Sequence, residues 1–216
     1  MVSQALQTLI AARRVANYAM ELGLEVAWQE TRPVYDHMGA VLADSVLQSG
    51  LSYNSVVRPR INNIFNKYPD YTHTSMLVDL VQHGEVSTFM NWTHEEKISR
   101  FEELVIFLKD ASVETVGELK ECFASENFIS SLRSVRGVGP KTVDYMGCLV
   151  GVDSVAVDRH VKSFAKRVGI VEDDYDFLKE VFCYAADLSA VSRREFDAWV
   201  WHRESSMSVA QMAFSF

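Results

Sequence analysis

The chain has 216 residues, 48% hydrophobic and 23% charged, with a formal net charge of −8. That length and balance suit one large or two small hydrophobic cores and exclude a disordered or low-complexity chain. No run of about 18 apolar residues occurs, so no membrane-spanning helix is expected. Residues 3–23 form the first predicted helix, on the helical spacing of Leu6, Leu9, Ile10, Val15 and Met20. Gly23 and Pro33 bracket a loop. A mostly buried helix is predicted from Val34 to Gln48, carrying Met38, Val41, Leu42, Val46 and Leu47 and ended by Gly50. Ser52 or Asn54 starts the next helix, which runs to about Lys67 before Tyr68-Pro69-Asp70 breaks it. Thr74 is the predicted cap of a helix over Met76 to Gln82. Thr93-His94-Glu95-Glu96 has capping-box spacing and opens a helix to about Lys109. Short helices follow over Val116–Ala124, Phe128–Val135 and Lys141–Leu149, then Asp158–Arg167, Asp173–Leu188 and Ser192–His202. Residues 203–216 show no period. Strand signals are few, there is no internal repeat, and the fold class is all-α.

The stretch Arg136-Gly137-Val138-Gly139-Pro140-Lys141-Thr142 joins two of these helices through a tight hairpin. Two glycines around one residue suit a backbone that needs positive φ or must approach another molecule closely. Pro140 suits a first helical position, where its missing N–H is not needed. Hairpin amides in front of a helix start favour an anion, and phosphate is the obvious one. Further on, the apolar run Val155-Ala156-Val157 is closed by Asp158 at the predicted N-cap of a helix that continues Arg159-His160-Val161.

Charge supports a nucleic-acid reading only locally. Residues 131–170 hold seven basic and three acidic side chains, a net of +4 against −12 for the remainder. A DNA-binding protein is expected to carry a basic face, and here that face lies around the hairpin. The cysteines, Cys122, Cys148 and Cys183, are odd in number and far apart, which suggests neither a disulfide framework nor a zinc site. Met1-Val2-Ser3-Gln4-Ala5 lacks the basic region and apolar core of a secretion signal. The expectation is a cytoplasmic, nucleoid-associated or nuclear protein, not a secreted one.

Gly-Val-Gly-Pro-Lys-Thr followed by Val-Asp-Arg-His-Val resembles the helix-hairpin-helix (HhH-GPD) DNA glycosylase superfamily, especially its endonuclease III-like branch. The resemblance extends to Val41–Val56, which looks like the family's early helix and loop, and to Phe196–Arg203, which resembles its penultimate helix. It implies two helical subdomains with a cleft between them: a central one over 30–152 with the hairpin at 136–140, and a second built from 1–29 plus 153–216. The family's four-cysteine iron–sulfur module should come next, but no cysteine follows Cys183. No iron–sulfur cluster and no metal ligands are therefore expected.

By resemblance, Lys141 and Asp158 are the catalytic pair. Cleaving a base from deoxyribose gives the sugar oxocarbenium character, which a carboxylate stabilises. A lysine with a free amine can attack C1′ and form a Schiff base, permitting strand cleavage. Moving a lysine from ~10.4 to ~8 destabilises its ammonium by about 3 kcal/mol, and a helix start and a dry site both push that way. Arg136, Gly137, Val138, Gly139, Thr142 and Arg159 are the expected DNA-binding residues. The family's loop glutamine, which fills space in the DNA, falls at Gly50 here, with Gln48 two residues earlier as its possible substitute. Asn91 and Trp92 fall where the family places its wedge, although core packing is the plainer reading of the tryptophan. Tyr145 could line a base pocket or the core equally. His160 suits a buried structural role better than a catalytic one.

The implied activity is excision of a damaged or mismatched base from double-stranded DNA by a monomeric glycosylase that flips the base out, with AP-lyase activity from Lys141. A monofunctional enzyme using water activated by Asp158, and a non-catalytic helix-hairpin-helix DNA-binding protein, stand as alternatives. Oxidised pyrimidine is the favoured lesion; mismatched thymine or uracil, oxidised guanine and alkylated purine stay open.

Overall fold

The computed structural model describes residues 3–24 and 34–213. Among them are twelve α-helices and one π-helical turn, with no strand. The chain divides into two compact units: Pro33–Val152, and a second that joins Met1–Arg32 to Asp153–Phe216. The loop expected between Gly23 and Pro33 lies largely outside the described residues.

The second unit contains α1 (Gln4–Glu21), α10 (Arg159–Arg167), α11 (Tyr175–Leu188) and α12 (Arg193–Ala213). Helix α1 packs along α11. The face it buries is Ala11, Ala12, Val15, Ala16 and Ala19, while Leu6, Leu9, Ile10 and Met20 are exposed. Apolar spacing predicted the helix; of the five residues that set the spacing Val15 is buried, and small side chains make up the rest of the packed face. Residues 203–213, expected to be aperiodic, continue α12. Glu204 explains part of this. Its side chain is 3% exposed and accepts from Arg167 Nε at 2.9 Å and Ser163 Oγ at 2.8 Å, both on α10.

The central unit is built around α2 (Met38–Leu47), whose ten residues are all buried. A helix apolar on every side belongs inside a core. It packs against α3 (Arg58–Lys67), α4 (Thr74–Gln82), α6 (Glu95–Asp110) and α9 (Pro140–Leu149). The helix starts at Met38, not Val34, because His37 caps it. His37 Nδ1 accepts from the Ala40 amide at 3.1 Å, which leaves Nε2 to donate to Tyr68 O at 2.8 Å. The loop after α2 leads into a π-helical turn at Tyr53–Val57 before α3.

Two predicted caps do not form. Thr93–Glu96 makes no capping box; His94 precedes α6 without a side-chain cap. Thr74 lies inside α4, and its hydroxyl instead donates to Val113 O at 2.7 Å, tying α4 to the loop after α6. The capping box that does form is Thr115 with Glu118, at the start of α7 (Val116–Cys122). Two backbone amides on Glu118 hold its carboxyl below the usual carboxylate range. A short helix, α5 (Val86–Met90), was not expected, and α8 (Glu126–Ser134) leads into the hairpin.

Removing one partner of a buried ion pair strands the other, and the stranded group's burial sets the penalty. Arg167→Ala leaves a carboxylate that is 3% exposed and should lower stability by about 3 kcal/mol, whereas Glu204→Gln leaves an arginine 31% exposed and should lower it by about 1 kcal/mol. Urea denaturation of the two variants checks this order.

Candidate functional site

The hairpin is a turn with an apolar anchor. Val135 caps α8 in an extended conformation, and the Val138 amide donates to Val135 O at 3.0 Å. Gly137 has φ of +75°, a left-handed value that glycine adopts without strain. Gly139 is extended, at φ −91° and ψ 177°, and hands over to Pro140 in the first turn of α9. Val138 is 2% exposed, so it plugs the core, and its amide is consumed by the turn. The amides of Gly137, Gly139 and Thr142 have no backbone acceptor among the described residues, and no side chain caps α9. Arg136 and the two glycines are exposed, while Thr142 is buried. The hairpin therefore offers glycine amides, a helix start and one exposed arginine.

Lys141 is held across from α2. Its Nζ donates to Gln48 Oε1 at 2.6 Å, and Gln48 Nε2 donates to Ser45 O at 3.3 Å, which orients the amide. One turn further into both helices, Tyr145 donates to Asp44 Oδ1 at 3.0 Å. The other carboxylate oxygen, Oδ2, accepts from Tyr35 at 2.8 Å and Tyr53 at 3.2 Å. Asp44 is fully buried, so these three hydroxyls replace the water it has lost. The pairs Asp44–Tyr145 and Gln48–Lys141 thus form two rungs between α2 and α9. Gly50, the position of the family's loop glutamine, is exposed with φ of +76° and carries no side chain to fill anything.

Two cations that the sequence reading missed join this site from α6. Lys97 Nζ donates to Val46 O at 2.8 Å and Ser49 O at 2.9 Å, closing the C-terminal end of α2. Burial first, and then the Arg100 charge, hold Lys97 below the ordinary lysine range; Glu96 opposes this and Lys141 adds to it. Arg100 packs against Gly137. Asp44 left a trace that could have been used, as a lone carboxylate in the middle of a ten-residue buried helix.

In the other unit, Val155, Ala156 and Val157 are buried and lead into Asp158. Asp158 Oδ1 accepts from the amides of His160 at 2.7 Å and Val161 at 3.1 Å, the N-cap expected of it. Oδ2 has no partner among the described residues. Capping thus occupies one oxygen and leaves the second. Arg159 is exposed, and its Nε donates to His160 Nε2 at 3.4 Å. His160 is buried with its ring 5.9 Å from that of Trp201, a packing role.

Asn91 and Trp92 have partners of their own. Asn91 takes φ of +48° at the end of α5, and its carbonyl accepts from Arg60 Nε at 3.0 Å. The Arg60 guanidinium lies 5.0 Å from the centre of the Trp92 ring. Both residues border a polar concavity of about 410 Å³ that also takes in Asn63, Lys67 and Tyr68, but not Gln48, Lys141 or Tyr145. Among the described residues no group of three or more His, Cys, Asp and Glu side chains could hold a metal ion.

Burial first, and then the Asp44 charge, push the Tyr35 and Tyr53 hydroxyls above the ordinary tyrosine range. A folded pKa above the unfolded one contributes stability that is intact below the unfolded value, about 10, and lost as pH rises beyond it. Stability should fall above about pH 10. In a tyrosine absorbance titration, these two should ionise only with unfolding, and Tyr35→Phe should remove one late-ionising group. Ionisation of all eight tyrosines together in the folded chain would contradict this.

No family model matches the sequence, and no curated protein matches it. Its fold is similar to a solved structure of an H. pylori 3-methyladenine DNA glycosylase, MagIII, bound to 1,N6-ethenoadenine. The TM-score is 0.57 at 17% sequence identity, covering 94% of this chain and 98% of that one. At that identity the likeness concerns architecture. The described residues, helical and without strands, share the fold of that DNA glycosylase.

Proposed function

We propose that this protein is a base-excision DNA glycosylase acting on double-stranded DNA, with Lys141 as nucleophile and Asp158 stabilising the sugar. The observation that carries the reading is the placement of the Lys141 amine beside the hairpin, bonded to a neutral amide. Gln48 Oε1 accepts from Nζ at 2.6 Å and holds the amine at the end of α2. Attack requires that amine in its free, unprotonated form.

In the proposed reaction the flipped nucleotide presents C1′ to Nζ. The glycosidic bond breaks, its electron pair leaves with the base, and the base takes up a proton. The amine forms the new bond to C1′, and loss of its protons with ring opening gives the Schiff base. Abstraction of a C2′ proton then expels the 3′ phosphate, which is the AP-lyase step. Asp158 uses Oδ1 for its own helix, and the proposal gives Oδ2 to the positive charge on the sugar. Backbone phosphate goes to the amides of Gly137 and Gly139, with Arg136 beside them and Arg159 as a second contact. The proposed enzyme is a monomer that works without an iron–sulfur cluster, in the cytoplasm on the nucleoid or in the nucleus.

A second reading has its own support. The structural neighbour is named for 3-methyladenine and is bound to 1,N6-ethenoadenine, both modified adenines. A positively charged alkylated purine is a good leaving group that needs less help. Water activated by Asp158 Oδ2 would then suffice, and Lys141 would only position DNA. This neighbour also moves alkylated purines ahead of oxidised pyrimidines as the first lesions to test.

Incubation with lesion-bearing duplex and borohydride separates the two readings. A covalent adduct that disappears in Lys141→Ala supports the nucleophile; base release without adduct supports the water mechanism. Release of no base from any duplex in a lesion panel leaves only the DNA-binding alternative. Under the first reading, Gln48→Glu converts the amide contact into an ion pair and should slow adduct formation about tenfold, one pKa unit of ammonium stabilisation. Asp158→Asn should cut single-turnover base release by about a hundredfold or more while leaving duplex affinity within about twofold.

A further inference from the structure

We propose that Arg100 is a DNA-phosphate ligand that acts together with the hairpin, supplying from α6 the side-chain half of one backbone-phosphate seat. The proposal deepens the functional reading and rests on it for the identity of the ligand.

The first observation is an unsatisfied guanidinium. Arg100 is 16% exposed, and a guanidinium has five N–H donors. None of them makes a hydrogen bond among the described residues, and Nε is wholly removed from solvent. Its ionic neighbour, Glu96 on the preceding turn, lies 3.6 Å from the terminal nitrogen, too far for a hydrogen bond, and is itself 65% exposed. Burying a charge with no hydrogen bond is unfavourable unless a ligand compensates it.

The second observation is where the guanidinium lies. A Cβ at Gly137 would collide with its Nε, Cζ and terminal nitrogen together. Gly137 is thus doubly constrained, by its left-handed φ and by the planar group packed against it. Next to it are the amides of Gly137 and Gly139, which have no backbone acceptor among the described residues, and the start of α9, which no side chain caps. Lys97 feels the charges of both Arg100 and Lys141. The Arg100 guanidinium and one helix start meet here, with Glu96 on the preceding turn of α6. A tetrahedral anion matches that arrangement, because arginine's fork takes two of its oxygens while main-chain amides take another. In a protein that grips duplex DNA the anion is a backbone phosphate. Arg100 is remote in sequence from the basic stretch 131–170, so a charge count along the chain does not find it.

The test uses the full chain labelled with 15N and an undamaged short duplex, so that it does not depend on catalysis. The Arg100 Nε–H resonance, assigned by its loss in Arg100→Gln, should shift on addition of the duplex. Arg100→Gln should weaken duplex binding by about tenfold or more and reduce the slope of log affinity against log salt by about 0.9. Lys109→Gln, at the far end of the same helix, should leave the slope unchanged. Arg100→Lys should restore the slope but not the affinity, since an ammonium cannot fork. Thermal melting should show Arg100→Gln at least as stable as the parent, because the buried charge is relieved; an arginine serving only the fold would lose stability.

Duplex binding that leaves the Arg100 resonance unmoved, or an unchanged salt slope in Arg100→Gln, overturns the proposal while sparing the glycosylase reading. Duplex binding through Arg100 without base release overturns the glycosylase reading alone. Failure of the parent protein to bind duplex at low salt overturns both. If inorganic phosphate moves the resonance as far as duplex does at equal concentration, the seat belongs to a free anion and the DNA assignment falls.

Discussion

One buried carboxylate organises the central unit. Asp44 has no exposed surface and is satisfied by the hydroxyls of Tyr35, Tyr53 and Tyr145. Those tyrosines come from the segment before α2, the turn after it and α9, so a single charge ties three pieces of chain to the buried helix. Losing any one of them would leave a buried acceptor short of donors, a penalty of roughly 1–3 kcal/mol. The Tyr145 bond also fixes how α9 lies on α2. One turn closer to the hairpin, the same pair of helices brings Gln48 to Lys141. The position of the amine therefore follows from the way a buried charge is satisfied.

The charge distribution acquires a structural meaning from this site. A chain of net charge −8 is a poor general ligand for DNA. Arg100 nevertheless packs against the hairpin and Lys141 follows it directly, drawn from two helices that are distant in sequence. A net negative charge disfavours indiscriminate binding and leaves docking to local basic groups. That would suit the proposed enzyme, which must present one amine to one sugar.

Much of the fold was legible in the sequence, and the exceptions share a cause. Asp158 as an N-cap, the Gly137 turn, Pro140 at a helix start and the buried run from Met38 to Leu47 are local features, and local chemistry decides them. The spacing of large side chains gave the helix α1 but not its packed face, which is mostly alanine. The Thr93 capping box failed while an equal pattern at Thr115 formed. The Thr-to-Glu spacing is the same in both, so that spacing alone does not decide the cap. At the site, Lys141 and the glycines were found from a motif, but Asp44, Lys97 and Arg100 lie up to about a hundred residues away from it in sequence. Their roles exist only once helices meet.

The account stands or falls on whether the Asp44–Tyr145 contact positions the Lys141 amine for chemistry, beyond holding the fold. The direct measurement is single-turnover base release by Tyr145→Phe on the best lesion of a panel, made alongside duplex affinity and thermal stability. The account predicts a rate lowered about tenfold, near 1.4 kcal/mol of lost transition-state stabilisation, with duplex affinity unchanged and the protein folded. A folded Tyr145→Phe protein that releases base at the parent rate would contradict it.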